Sequence, residues 1–177
     1  NANGFRLLTH QFEGRRPGGF ALTYTTLAAI VKYPWSSARA PESGKFGYFQ
    51  SERATYLDVA DYLGILPVDP ATGHYVRHPL VYLVEAADDI CYQVMDVEDA
   101  YKLRILSYER TVDLLLRYFP ADGRDHALAT LETIGDRNER IAYLRAKAIN
   151  ILVEACAEVF IEHEEEILRG TFVGTLV

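Results

Sequence analysis

Apolar residues recur at three- and four-residue steps along most of the chain, and strict apolar–polar alternation is confined to short runs. That periodicity predicts helices rather than strands. The clearest stretch opens at His78-Pro79, with proline in a first turn where its missing N–H is not needed, and runs to about Leu103. Residues 137–169 hold no glycine or proline and carry Ile141, Leu144, Ala148, Leu152, Ala155 and Val159. They predict one long amphipathic helix with Asp136 as N-cap and Gly170 as its stop. Shorter helices are predicted over 21–32, ended by Pro34; 51–63, with Ser51 as N-cap and Gly64 as stop; 107–118, closed by Pro120 and Gly123; and 125–134. Residues 3–10 read as the tail of a helix. Residues 11–20, 35–48 and the surroundings of Pro67, Pro70 and Gly73 read as loops. The expected fold is all-α, an irregular multi-helix bundle.

Composition narrows the class. The 177 residues suffice for one helical domain with a real core, and 49% apolar with 24% charged residues is close to the globular average, which argues against disorder along the whole length. A formal net charge of -7 argues against a surface built for nucleic-acid phosphates. No apolar run approaches the ~18 residues of a membrane span. Cys91 and Cys156 fall in apolar helical patterns and are expected to be buried free thiols of a cytoplasmic protein. The chain opens without methionine or a leader and stops in an apolar stretch, so both ends read as cut.

Candidate chemistry lies in the segment from Leu80 to Asp96. On a helical wheel, Leu80, Leu83, Val84, Ala87, Ile90, Cys91, Val94 and Met95 share a broad apolar arc, while Glu85, Asp88, Tyr92, Asp96 and Asp99 fall opposite. Asp88, Tyr92 and Asp96 form one row at four-residue steps. A solvated acidic face is the ordinary explanation of such a row. A carboxylate row on so apolar a helix also suits a divalent metal: magnesium or manganese for oxygen ligands, or zinc, iron or cobalt if histidines join.

These residues resemble the dGTPase branch of the bacterial HD-domain triphosphohydrolases. The resemblance is carried by His78-Pro-Leu-Val-Tyr-Leu-Val-Glu-Ala-Ala-Asp-Asp-Ile-Cys-Tyr92 with Asp96 following, by Leu22-Thr-Tyr-Thr-Thr-Leu27 with Lys32-Tyr-Pro-Trp-Ser-Ser37, by Lys45-Phe-Gly-Tyr-Phe49 with Ser51-Glu52, and by the opening Asn1-Ala2-Asn3-Gly4-Phe5-Arg6. Asn3 stands where the family usually has glutamine. The match covers about residues 1–110, which it implies are a partial HD-type nucleotide and metal site; residues 111–177 match only as a helical extension. The resemblance implies that Asp88 is a metal ligand, that Tyr92 packs on the sugar and leaves no room for a 2′-hydroxyl, and that Asp96 accepts a hydrogen bond from the 3′-hydroxyl. It implies that Lys32 and Tyr33 contact the triphosphate, with Lys45 and Asn1 in the same role. The implied reaction is hydrolysis of a deoxynucleoside triphosphate, dGTP favoured, to deoxynucleoside and triphosphate, in a cytoplasmic homo-oligomer.

The family's metal centre also needs a histidine and a His-Asp pair. None of His10, His74, His78, His126 and His163 is followed by aspartate. No catalytic residue is therefore assigned, and the chain alone is expected to be inactive, because one carboxylate cannot hold such a metal. The alternative is a catalytically silent nucleotide-binding or oligomerising module. The long C-terminal helix offers two apolar stripes, Ile141/Leu144/Ala148/Leu152 and Ile149/Val153/Cys156/Phe160, that suit burial on two sides. Other candidates read as ordinary structure. Residues 14–19, with Arg15 and Arg16, lack the strand–loop–helix context of a P-loop; residues 122–126 read as a turn before a helix; residues 162–166 read as a solvated helix end; and no nucleophile elbow is present.

Overall fold

A computed structural model describes residues 1–14, 17–69 and 73–177; Arg15, Arg16 and Pro70 of the predicted loops lie outside the described residues. The protein is all-α. Eight helices are described: α1 (Ala2–Thr9), α2 (Tyr24–Ala29), α3 (Arg53–Leu63), α4 (Pro79–Lys102), α5 (Tyr108–Leu116), α6 (Ala121–Thr133), α7 (Arg137–Glu162) and α8 (Glu164–Arg169). A two-stranded antiparallel ribbon, β1 (Pro67–Asp69) with β2 (His74–Tyr75), stands where a loop is predicted. The chain forms two compact units, Asn1–Glu85 with His163–Gly174, and Ala86–Glu162 with Thr175–Val177. None of the described helices is long and apolar enough to cross a membrane.

The first unit is built on aromatic packing. Phe5, Leu27, Ala28, Val31, Tyr48, Tyr56, Val59 and Ala60 form its core. Tyr48 and Tyr56 stack at 4.3 Å, and Phe5 and Tyr75 meet the Tyr56 ring edge-on at 6.1 and 5.7 Å. Burial, with Tyr75 adding to it, pushes the Tyr48 hydroxyl up to about 12. α2 is shorter than predicted: Thr23 caps it by accepting a hydrogen bond from the Thr26 N–H. Ser51 is not the cap of α3, which grows out of a 3-10 turn at Gln50–Glu52.

In the second unit, α5 packs on α7 around Val94, Leu115, Phe119, Ala127, Leu131, Ile141, Leu144 and Ala148. Ser107 caps α5, and Asp136 caps α7 by accepting from the N–H groups of Asn138 and Glu139. α6 begins four residues before its predicted start, with Pro120 as N-cap and Gly123 inside the helix; a glycine weakens a helix without ending it. The predicted long C-terminal helix is broken at His163 into α7 and α8, and Gly170 ends α8 at φ 71°. There a Cβ would come within 2.6 Å of Val76, so both the turn and the contact require glycine.

The wheel reading of α4 needs correction. The buried positions are Val81, Tyr82, Ala86, Ile90, Val94 and Glu98, whereas Leu80, Leu83, Val84 and Cys91 of the predicted apolar arc are exposed. Cys91 is therefore not a buried thiol; Cys156 is, and burial raises its pKa. The inward face runs through Tyr82 and Glu98 because a tertiary partner satisfies each. The Tyr82 hydroxyl donates to the Phe172 carbonyl at 3.2 Å. The Glu98 carboxylate is held by Arg145 at 2.7 Å and Lys102 at 3.2 Å. A wheel ranks side chains by their own polarity and cannot anticipate such compensation.

Candidate functional site

In the first unit, the chain after α2 turns sharply at Lys32-Tyr33-Pro34-Trp35. Four of the predicted residues meet at this turn. Asn1 sits at the N-cap of α1, yet its side chain makes no cap; its Oδ1 accepts the backbone N–H of Lys32 at 3.1 Å. The ammonium groups of Lys32 and Lys45 lie 6.0 and 5.7 Å from the centroid of the Tyr33 ring, within range of cation–π attraction. Trp35 fixes Lys45 from the other side, its indole N–H donating to the Lys45 carbonyl at 2.7 Å. Its ring lies 5.6 Å from Tyr33 and 5.0 Å from His74. Two cations thus flank one aromatic ring on a backbone tied at both ends, an arrangement suited to a multiply charged anion.

The second group lies on α4 in the second unit. Asp88, Tyr92 and Asp96 follow one another along the helix and, with Cys91 and Met95, line an open groove of about 230 Å³. Asp88 and Asp96 are exposed and Tyr92 is 62% exposed. No ion pair or side-chain hydrogen bond engages any of the three among the described residues. Nor do three His, Cys, Asp or Glu side chains gather closely enough there to hold a metal ion. Asp88 is a single exposed carboxylate and does not make a metal centre by itself.

No protein-family model matches the chain. Curated relatives do. A deoxyguanosinetriphosphate triphosphohydrolase-like protein of Synechocystis is 39% identical over 186 residues, covering 100% of this chain and 41% of that protein. One of Pseudomonas aeruginosa is 41% identical over 188 residues, covering 100% and 40%. Over its whole length this chain is similar to deoxyguanosinetriphosphate triphosphohydrolase-like proteins. A protein of Salmonella enteritidis named deoxyguanosinetriphosphate triphosphohydrolase is more distant, 29% identical over 192 residues, covering 100% of the chain and 36% of that protein. The chain spans about two fifths of the length of the first two relatives.

Within this triphosphohydrolase-like chain, the structure adds residues that the sequence reading passed over or placed elsewhere. Glu85, assigned to the acidic face, is largely buried, and its two oxygens bind different cations: Oε1 the Lys32 ammonium, Oε2 the Arg77 guanidinium at 3.1 Å. Gly47 lies under the turn; a Cβ there would collide with the Tyr33 carbonyl oxygen and the Val31 side chain. The Gly47 N–H donates to the Trp35 carbonyl at 3.0 Å. Buried Glu52 faces Arg6 at 3.6 Å, and its Oε2 has no hydrogen-bond partner among the described residues. In sequence, Glu85 is indistinguishable from the other acids of α4, and Arg77 is one basic residue before a helix. His78, where the predicted helix opens, caps α4: its Nδ1 accepts the Leu80 N–H at 3.2 Å, and burial lowers its pKa.

Proposed function

We propose that this chain supplies the triphosphate- and deoxyribose-binding part of a metal-dependent deoxynucleoside triphosphohydrolase acting on dGTP. The observation that carries the reading is the meeting of Asn1, Lys32, Tyr33 and Lys45 at one turn, on a chain whose curated relatives bear the name of that reaction. In this reading Lys32 and Lys45 neutralise phosphate oxygens while Tyr33 fixes their spacing. Tyr92 covers the sugar and Asp96 accepts from its 3′-hydroxyl. Asp88 contributes one ligand to a divalent magnesium or manganese ion whose other ligands come from outside these residues. Water attacks the α-phosphorus, the bond to the 5′-oxygen breaks, and that oxygen takes a proton as the deoxynucleoside leaves.

The reading is tested by triphosphate release from dGTP with manganese. The full polypeptide carrying these residues is expected to turn over, and the isolated 177 residues are not. In the full polypeptide, Tyr92→Ala is expected to relax discrimination against GTP and Asp96→Ala to weaken dGTP binding. Unchanged affinity and unchanged sugar preference in both variants would remove the row from the pocket. A second reading, a silent nucleotide-binding or oligomerising module, draws on α7, where Val153 is 52% and Ile161 70% exposed. Sedimentation of the full polypeptide together with the release assay separates the two: a self-associating protein that binds dGTP without turnover supports the second.

A further inference from the structure

The carboxylate of Glu85 is clamped between two cations in the first unit. Its side chain is 9% exposed, against 32% for Lys32 and 26% for Arg77. Burying a carboxylate is costly unless partners compensate it, and here each oxygen has its own. The clamp belongs to a longer chain of contacts. The Arg77 guanidinium lies 5.6 Å from the centroid of the Tyr82 ring, and the Tyr82 hydroxyl donates to the Phe172 carbonyl at 3.2 Å. At the other end, Lys32 is held through its backbone N–H by Asn1 and through its ammonium by Glu85.

We infer that Glu85 is a positioning residue for polyphosphate binding, holding the Lys32 ammonium in place, with Arg77 orienting the carboxylate that does so. The inference rests on the assignment of Lys32 to the triphosphate. A lysine side chain has many rotamers, and a ligand that uses it must first restrict them. Glu85 has already restricted them. Lying between them, the Glu85 carboxylate keeps the Lys32 and Arg77 cations from repelling each other apart. A Glu85 that merely competed with phosphate for the same ammonium would act in the opposite direction, so the sign of one substitution decides.

The experiment is calorimetric titration of the full polypeptide with inorganic triphosphate and, separately, with deoxyguanosine. Glu85→Gln keeps the shape and removes the charge; it is expected to weaken triphosphate binding roughly ten-fold and to leave deoxyguanosine binding unchanged. Arg77→Gln shifts triphosphate binding in the same direction by roughly three-fold, and Arg77→Lys recovers part of it. In a Lys32→Ala background, Glu85→Gln adds nothing further. Should Glu85→Gln not fold, the Arg77 pair carries the test alone. Unchanged or tighter triphosphate binding in Glu85→Gln, with weaker binding in Lys32→Ala, overturns this inference and leaves the proposed function standing. Unchanged binding in Lys32→Ala overturns both. Equal losses for triphosphate and deoxyguanosine in Glu85→Gln assign the clamp to folding and overturn the positioning role.

Discussion

The cation turn of the first unit and the acid row of the second are built by opposite means. At the turn, every predicted residue is tied to another part of the chain: Asn1 to Lys32, Lys45 to Trp35 and Tyr33, Lys32 to Glu85. The row is one helix face, with Asp88, Tyr92 and Asp96 brought together by the 3.6-residue period alone. A tied cluster is preorganised for a ligand and sensitive to distant substitutions. A bare row tolerates substitution in the fold and registers it only in function.

The largest expected effect tests the bare row. Asp88→Ala in the full polypeptide is expected to cut triphosphate release by at least about 100-fold, since even the outer partners of metal ligands cost 10- to 100-fold. The unfolding midpoint should stay put, and a rate within a few-fold of the parent would take the row out of the chemistry. Next comes the tied cluster: Lys32→Ala is expected to weaken inhibition by inorganic triphosphate by roughly 10- to 100-fold, the worth of a hydrogen bond to a charged group.

The third prediction sets the two regions side by side in one measurement. Gly47→Ala forces the Tyr33 carbonyl to move and is expected to lower stability by about 1–3 kcal/mol in urea unfolding while also weakening triphosphate inhibition. Cys91→Ala in the groove, on an exposed face, should change stability by no more than about 0.5 kcal/mol. If both variants behave alike, the contrast between tied and bare regions fails.

The smallest effects are in pH dependence, and they separate the units. Burial lowers the His78 pKa from 6.5, so the unfolded chain takes up the proton more readily, and this contribution to stability fades as pH falls from about 6.5 through the lower folded value. Burial also opposes ionisation of Glu98, yet the hydrogen bonds from Arg145 and Lys102 outweigh it and hold the pKa below 4.5. Its contribution is present above 4.5 and is lost as pH falls through the folded value. Urea midpoints measured from about pH 7 down to about pH 2 should therefore fall in two steps. His78→Asn should flatten the upper step, and Glu98→Gln the lower.

Legibility in the sequence followed the range of the interactions. The bounds of α4, the cap at Asp136 and the stop at Gly170 depend on residues within a turn of each other and were readable. The break at His163 was not, because no glycine or proline marks it; there the chain turns so that the His163 ring meets Phe172 at 4.9 Å. The sequence places the start of α6 too late because Gly123 reads as punctuation, whereas it lies inside the helix. The residues of the cation turn were named through family resemblance, and nothing in their spacing joins Asn1 to Lys32 across thirty-one positions.

By itself, the sequence determined an all-α chain, the period that aligns Asp88, Tyr92 and Asp96, and the family that the chain resembles. These follow from local helix geometry and from motifs written in consecutive residues. Tertiary structure alone decided which face of α4 turns inward, that Cys91 is exposed, and that Glu85 leaves the acidic face to clamp Lys32 and Arg77. The reason is the same in each case. Whether a polar side chain can be buried depends on the partner that satisfies it, and that partner is supplied by folding rather than by the neighbouring residues.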